Sequence, residues 1–360
     1  MTLPFSGVDS FTGIHPFLLV IAAASLDRLV GDPRWCLHPV VVMGWWIKRL
    51  RRQAERLAGE RPWALRLAGA VITLLLVGSS GAAGWLLEQW ALGKVLPDTR
   101  PVALTLLLLA LASALAGRSL EQAVRAVLRA LPSPEAAQSE ALSASRTALS
   151  WIVGRDTREL SSPEIVRAAA ETASENAVDG LFAPLFWMLL GALIWAVGYQ
   201  AAPGPLALAW GFKAASTLDS MLGYRQGLLR WLGTAGARLD DLLVWLPCRL
   251  VALTLPLAAG LGPQRSWALL QSARRDGAPD PSPNAGLSQA IYAHVLQIQL
   301  GGTNRYGDRC KRKPLLAAGC PPPTATTVQA MLRLSQRLEL LWLVAGLGLG
   351  WVVATAAGTQ

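Results

Sequence analysis

Charge is scarce in this chain. Only 16% of its 360 residues are Asp, Glu, Lys or Arg, against 52% hydrophobic ones. Soluble globular domains carry about 25% charged residues, so a water-soluble core is the poorer explanation. Histidine is scarcer still: His15, His38 and His294 stand far apart and no HExxH occurs, which leaves a histidine zinc site little support. Cys36, Cys248, Cys310 and Cys320 form no C-x-x-C pair and no framework spacing. That argues against a disulfide scaffold or structural zinc and for isolated thiols in a reducing setting. There is no GxxxxGK[ST] phosphate loop and no serine nucleophile elbow. The first fourteen residues lack Lys and Arg, and no small-residue cleavage site follows a short apolar core. No cleavable secretory signal is therefore expected, and the chain is read as retained whole.

What the chain has is long apolar windows. A bilayer core of about 30 Å needs roughly 20 mostly apolar residues per spanning helix. Residues 64–87, 101–117, 181–199, 241–262 and 338–358 qualify, each with at most one or two charges near its ends. Two weaker windows, 15–30 and 205–222, are interrupted by Asp27 and Arg28 and by Lys213 and Asp219. The expected fold is all-α: a polytopic membrane helical bundle of five to seven spans. Cytoplasmic interfacial helices and loops, and one re-entrant element, are allowed for. Residues 1–360 read as one membrane domain with polar segments at 118–180 and 263–337.

Lys and Arg collect in cytoplasmic loops. Residues 48–66 hold seven basic residues against two acidic ones, a net +5, and 263–337 hold ten against three, a net +7. Both loops are expected on the cytoplasmic side of a cell inner membrane. If both weak windows crossed, parity would separate the loops, so one uncertain segment should turn back. Pro247 and Pro256 nominate 241–262 as a further candidate. The overall charge of +10 does not call for nucleic acid, because the basic clusters abut apolar windows and lack interleaved aromatics. Anionic lipid headgroups account for most of it. A phosphate-holding role for 309–313 stays open.

Five polar segments stand out from this background. In GRDTRELSSPEIVRAAAETASENAVDG (154–180), Ser161 with Glu164 fits a capping box, and Pro163 suits the first turn of the helix that follows. Arg167, Glu171, Glu175 and Asp179 then recur every four residues as one stripe leading into an apolar run. A solvated helix face shows the same spacing. However, Glu175, Asn176 and Asp179 lie where an unpaired carboxylate is costly, and a hard cation such as Mg²⁺ would offset that cost. STLDSMLGY (216–224) contributes Asp219, and ARLDD (237–241) contributes Arg238, Asp240 and Asp241. SPNAG (282–286) and LGGTNRYGD (300–308) bracket a helix-like stretch at 287–299. Gly301 and Gly302 are expected either to end that helix or to bring backbone N–H groups to a phosphate beside Arg305. GLGLG (346–350), like Gly78, Gly81 and Gly84, reads as small-residue helix packing.

These pieces in this order resemble the CobD/CbiB family of cobalamin biosynthesis over nearly the whole chain. The matching pieces are LDRLVGDP and HPV near 26–40, GRDT, RAAAETASENAVDG, APLFW, TLDSMLGYR, ARLDD, LPCR, SPNAG and LGGTNRYGD. The resemblance implies an acid–amine ligase using ATP and Mg²⁺. It would join (R)-1-amino-2-propanol or its phosphate to a propionate of adenosylcobyric acid. A carboxylate is a poor acceptor for an amine, so an acyl phosphate is the expected route, with attack by the neutral amine. On this reading Glu175, Asp179 and Asp241 are catalytic, and Glu175, Asp179, Asp240 and Asp241 hold the metal. Arg155, Arg167, Asn176, Asp219, Arg238, Ser282, Asn284 and Arg305 bind substrate. The implied partners are the corrinoid, the amino-alcohol and membrane lipid. A homo-oligomer or contact with other enzymes of the pathway stays open. The chain departs from the family pattern at Ser216 and Val244, where asparagine is common, and at Asp280, where histidine often stands. A transporter or channel, or a non-catalytic relative, is the competing expectation, since carboxylates at span edges also serve transport.

Overall fold

The computed structural model describes residues 15–32, 38–132, 140–306 and 309–358, without the side chains of 140, 305, 306, 309–311, 357 and 358. In chain order the helices begin with α1 (His15–Val30), α2 (Pro39–Ala58), α3 (Pro62–Ala91), α4 (Arg100–Ala112), α5 (Gly117–Arg129), α6 (Ser143–Ser150) and α7 (Ser162–Ala177). They continue with α8 (Ala183–Ala196), α9 (Pro205–Leu222), α10 (Leu229–Leu232), α11 (Thr234–Ala258), α12 (Pro263–Gly277) and α13 (Ala285–Leu296). A hairpin of β1 (Leu300–Tyr306) and β2 (Arg309–Leu316) precedes α14 (Ala325–Gly358). Apart from that hairpin the described elements are helical, and the chain is an all-α polytopic membrane protein.

Contacts gather the chain, read above as one domain, into two compact units interleaved along the sequence. The first comprises Met1–Ala116, Ala183–Leu243 and Trp342–Gln360; the second comprises Gly117–Phe182 and Val244–Leu341.

Five helical stretches are long and apolar enough to cross a membrane: Pro62–Ala91, Pro97–Arg129, Ser162–Ala196, Thr234–Ala258 and Ala325–Ala356. Each overlaps one of the five strong sequence windows, and 64–87 and 101–117 lie wholly inside theirs. The two weak windows are helices over the same residues, α1 and α9. In the first unit, Leu74 and Leu75 on α3, Val102 and Leu109 on α4, and Val344, Trp351 and Val352 on α14 are exposed. So much apolar surface would not be stable against water, and lipid is the solvent that suits it.

The apolar interior of this unit joins three helices. Met43 and Ile47 of α2, Leu65, Ile72 and Leu76 of α3, and Ala214, Leu218 and Leu222 of α9 form one buried cluster. Lipid gives apolar side chains no incentive to leave it, so association rests on close approach at small residues. A Cβ on Gly84 would lie 2.8 Å from the Ala207 Cα, and one on Gly69 would lie 2.0 Å from the Leu232 carbonyl oxygen. On α14, Gly346 and Gly350 meet Phe17 in the same way, with imagined Cβ atoms 3.3 and 2.5 Å from its ring. The packing reading of GLGLG therefore holds.

α3 and α9 run antiparallel along one another. Near the end of α3, the Glu88 carboxylate accepts the backbone N–H groups of Gly204 (2.9 Å), Leu206 (2.6 Å) and Ala207 (3.1 Å), capping the start of α9. Near the start of α3, the Arg66 guanidinium stacks 4.4 Å from the ring of Trp231, just past the end of α9. With 18 residues at 1.5 Å each, α9 covers about 27 Å, close to the depth of a bilayer core.

In the second unit, Val127 of α5, Leu149 of α6, and Ile165, Ala168 and Ala169 of α7 make one core cluster. On α13 the buried Tyr292 hydroxyl hydrogen-bonds Ser335 of α14 at 2.6 Å, and apolar burial pushes the phenol up from its ordinary range. Gln336 donates to Glu121 of α5 at 2.7 Å. The expected capping box is present: Ser161 N–H donates to Glu164 Oε2 at 2.8 Å, and Pro163 lies in the first turn of α7.

LGGTNRYGD does not form a turn that ends a helix. Its first seven residues are β1, paired antiparallel with β2, with a register shift between Leu300 and Gly302. Both glycines have positive φ, +86° and +97°. A Cβ on Gly301 would lie 1.9 Å from the Pro314 carbonyl oxygen, and one on Gly302 would lie 2.7 Å from Arg167 Nη1. The two glycines make a bulge within a strand, a use that the sequence pattern does not distinguish from a helix stop. α13 ends earlier than expected, at Leu296, with Gln297 left-handed at φ +53°.

Candidate functional site

The residues nominated from sequence belong to both units. Arg155, Arg167, Glu175, Asn176, Asp179, Ser282, Asn284 and Arg305 lie in the second, and Asp219, Arg238, Asp240 and Asp241 in the first.

In the second unit the charged stripe of α7 is buried at Glu171 and half-buried at Arg167, Glu175 and Asp179, so a freely solvated helix face is not what it forms. Glu171 is only 2% exposed. One of its oxygens accepts the Gly301 N–H at 3.0 Å, and the other pairs with the Arg155 guanidinium, itself 8% exposed. Arg155 also donates to the Asn304 side-chain oxygen. Arg167, one turn before Glu171, donates to the carbonyls of Gly301 and of Thr303, the latter at 2.9 Å. Both arginines thus hold β1 against α7, and the bulge at Gly301 is what turns its N–H to the carboxylate.

One turn further on, Glu175 Oε2 accepts from Gln289 of α13 at 2.6 Å. Oε1 has no hydrogen-bond partner among the described residues. The field at Glu175 includes Lys313, of opposite charge, and Asp280 and Glu171, of like charge. Lys313 in turn pairs with Asp280 at 3.6 Å. Asn176 follows, half-buried, and Asp179 sits in a π-helical turn, Val178–Phe182, between α7 and α8. Such turns widen the helix and recur at functional sites. This one departs from the four-residue repeat that the stripe otherwise follows.

SPNAG is built as a brace. Asp280 Oδ1 accepts the Ser282 N–H at 3.0 Å, and Ser282 Oγ accepts the N–H groups of Asn284 (3.3 Å) and Ala285 (3.2 Å) at the start of α13. Arg249 of α11 donates to the Asn284 side-chain oxygen and to the Pro283 carbonyl, the latter at 3.0 Å. Cys248 donates to the Asn284 carbonyl at 3.3 Å. LPCR and SPNAG, which read as separate motifs, are therefore one contact. Arg305 lies on β1 opposite Cys310, with its side chain outside the described residues, as are most of those at 309–313 and Asp308.

In the first unit, Asp219 ends α9 and packs against Gly223, where an added Cβ would lie 2.0 Å from its Oδ1. Asp240 and Asp241 lie in the second turn of α11. The charges that act on Asp240 include Asp219, Asp241 and Lys213, and its Oδ1 is buried without a hydrogen-bond partner among the described residues. Among the described residues no three His, Cys, Asp or Glu side chains are grouped as an all-protein metal cage. Mg²⁺ rarely needs one, since it is generally held by one or two carboxylates together with water and substrate phosphates. The orphaned Asp240 oxygen, flanked by two further carboxylates, fits that kind of ligation. Glu175 and Asp179 belong to the other unit.

Of the departures from the expected pattern, Ser216 is half-buried on α9 and Val244 is fully buried on α11, where an apolar side chain suits its surroundings. Asp280 supplies the carboxylate that pairs with Lys313. Sequence reasoning missed Gln289, Asn304 and Arg249 as site residues and named Lys313 only within the 309–313 cluster. A lone glutamine within an otherwise apolar helix was the available signal for Gln289, and membership of a quoted motif was the signal for Asn304 and Arg249.

Comparison with known proteins bears on these motifs directly. Residues 20–335 match the family model described as CobD/Cbib protein. The chain is 42% identical over 350 residues to the cobalamin biosynthesis protein CobD of Synechocystis, covering 96% of each chain. It is 38% identical over 326 residues to the CobD of Geobacter metallireducens, covering 90% of this chain and 93% of that one. It is 36% identical over 349 residues to the cobalamin biosynthesis protein CbiB of Salmonella typhimurium, covering 92% and 95%. No solved structure matches.

Proposed function

The chain belongs to the CobD/CbiB protein family, and from that membership and the geometry of its buried charged groups we propose that it acts in cobalamin biosynthesis. The reaction is ATP-dependent amide formation between a propionate of adenosylcobyric acid and (R)-1-amino-2-propanol or its phosphate. It takes place at the cytoplasmic face of the inner membrane.

The observation that carries this reading is Glu175. Gln289 holds one of its oxygens at 2.6 Å and leaves the other without a hydrogen bond, on a helix that Arg155, Glu171 and Arg167 fix to β1. An orienting partner on one oxygen and a vacant lone pair on the other is how a general base is presented to an incoming proton. The amine must be neutral to attack, and Glu175 Oε1 takes its proton as the C–N bond forms. The corrinoid carboxylate is first phosphorylated by ATP; amine attack then expels inorganic phosphate, giving amide, ADP, phosphate and a proton. Mg²⁺, when bound, would neutralise phosphoryl charge. Asn176 and Asp179, next on the same helix, position the substrate.

The decisive assay gives purified full-length protein adenosylcobyric acid, Mg·ATP and aminopropanol phosphate, and follows product by mass spectrometry. An amide product is expected. Its absence across a panel of amines would refute the ligase assignment. Removal of a general base costs about 10²–10⁴ in rate, so Glu175→Gln is expected to lose that much turnover. A fully active Glu175→Gln would remove Glu175 from the mechanism while sparing the function.

A further inference from the structure

Arg66, at the start of α3, is about 160 residues away in sequence from Arg225, Arg230 and Arg238. All four nevertheless line one cavity of about 370 Å³ in the first unit, together with Trp231 and Asp241. Among the described residues none of the four guanidinium groups makes an ion pair or a side-chain hydrogen bond. One carboxylate, Asp241, stands against four cations on the cavity wall.

This is more than a solvated basic loop, because two of the four groups are held against a ring. Arg66 and Arg230 both stack on Trp231, at 4.4 and 4.5 Å from the ring centroid. The chain that carries them is clamped from two sides. The Leu232 carbonyl oxygen lies 2.0 Å from where a Cβ on Gly69 would be, and the Leu222 carbonyl oxygen 1.9 Å from where one on Gly233 would be. Only glycine at both positions lets α10 sit this close to α3 and α9. Two like charges held against one ring, neither of them in an ion pair among the described residues, form an anion site that is already organised.

We propose that this cavity binds a phosphate group. Guanidinium forks match phosphate oxygens bidentately, and Asp241, with Asp240 and Asp219 near it, supplies the carboxylates that a phosphate-bound divalent cation needs. The site deepens the ligase reading and rests on it for its purpose. A nucleotide and an anionic lipid headgroup present the same chemistry, and the test separates them.

Full-length wild type is compared with Arg225→Gln/Arg230→Gln, both exposed positions, and with Arg265→Gln, an exposed position outside the cavity lining, as a control. Binding of radiolabelled ATP is measured in phosphatidylcholine nanodiscs without corrinoid. Wild type and the control are expected to bind alike, and the double variant about tenfold or more weaker, the effect of losing one charge-assisted contact. Adenosine should not compete. ATP binding absent from wild type, with phosphatidylglycerol retained in native mass spectra of wild type but not of the double variant, supports a lipid source for the phosphate. Citrate competing as well as unlabelled ATP overturns the phosphate assignment. So does equal ATP and phosphatidylglycerol binding by wild type and double variant. Amide synthesis is read separately: a double variant with undiminished synthesis and ATP binding sinks the site alone. Phosphate binding without amide product sinks the ligase reading alone.

Discussion

Arg155 and Glu171 form an ion pair in which both side chains are almost entirely buried, 8% and 2% exposed. Desolvating two charges is costly, and the pair survives because the remaining hydrogen-bonding capacity is also met, by Gly301 on the carboxylate and Asn304 on the guanidinium.

Removing one partner should therefore hurt more than the pair itself helps. Glu171→Gln keeps size and one acceptor but leaves the Arg155 charge uncompensated, a loss of about 3–5 kcal/mol. The unfolding midpoint of the purified protein in detergent measures it, and an unchanged midpoint would show that the pair contributes little.

Glu88 makes a comparable prediction in the first unit. Its carboxylate takes three N–H groups at the start of α9, so Glu88→Ala leaves three buried donors unmet, at about 1–3 kcal/mol each. Yield of monodisperse protein from membranes, with thermal stability where it can be purified, is expected to fall sharply. Glu88→Gln, which keeps one acceptor oxygen, should recover part of the loss. Alanine and wild type behaving alike would mean that water or lipid headgroups reach those donors.

Acid should act through Asp276. Burial pushes its carboxyl up, but hydrogen bonds from His294 (2.8 Å), the Ala317 N–H (3.2 Å) and Arg275 (3.3 Å) outweigh burial and hold it below its ordinary value. A carboxyl depressed in the folded state stabilises fully above its unfolded pKa, about 3.9, and that contribution fades as pH falls through the lower folded value. Wild type is expected to be more stable than Asp276→Asn by a constant amount near neutrality, and the gap should close below about pH 4. Parallel stability curves down to pH 3 would rule this out.

Topology offers the last test. α9 lies antiparallel along α3, so it returns the chain to the side where α3 begins, and Gln226 should share that side with the basic residues at 48–66. For the basic segment at 263–337 to share it too, as the charge rule demands, α11 must not cross, although its composition would allow it. In a cysteine-depleted background, Gln226→Cys and Gln264→Cys should label from the cytoplasmic side and Asp98→Cys from the opposite one. Labelling of 264 with 98 would make α11 a full span, and labelling of 226 with 98 would mean that α9 does not cross with α3.

Much of the fold was legible because its signals are local. Twenty apolar residues in a row declare themselves, and so does a Ser–Glu box three residues apart. Even the bounds of α1 and α9 could be read, from Pro, Gly and the first charges. The hairpin could not. Gly301 and Gly302 carry the same letters whether they end a helix or bulge a strand, and the deciding contact, Gly301 N–H to Glu171, spans 130 positions.

The same division runs through the candidate site. Sequence by itself determined that this is a membrane protein, that carboxylates, amides and arginines recur in a set order of motifs, and which family that order resembles, because composition and spacing are properties of the chain alone. Only tertiary structure decided what each charge does. Arg155 and Arg167, nominated to bind substrate, brace β1, whereas Arg66, counted only for orientation, meets Arg225, Arg230 and Arg238 in one cavity. The physical reason is that a side chain's role depends on what lies within a few ångströms of it, and partners 100 or more residues apart leave no periodicity to read.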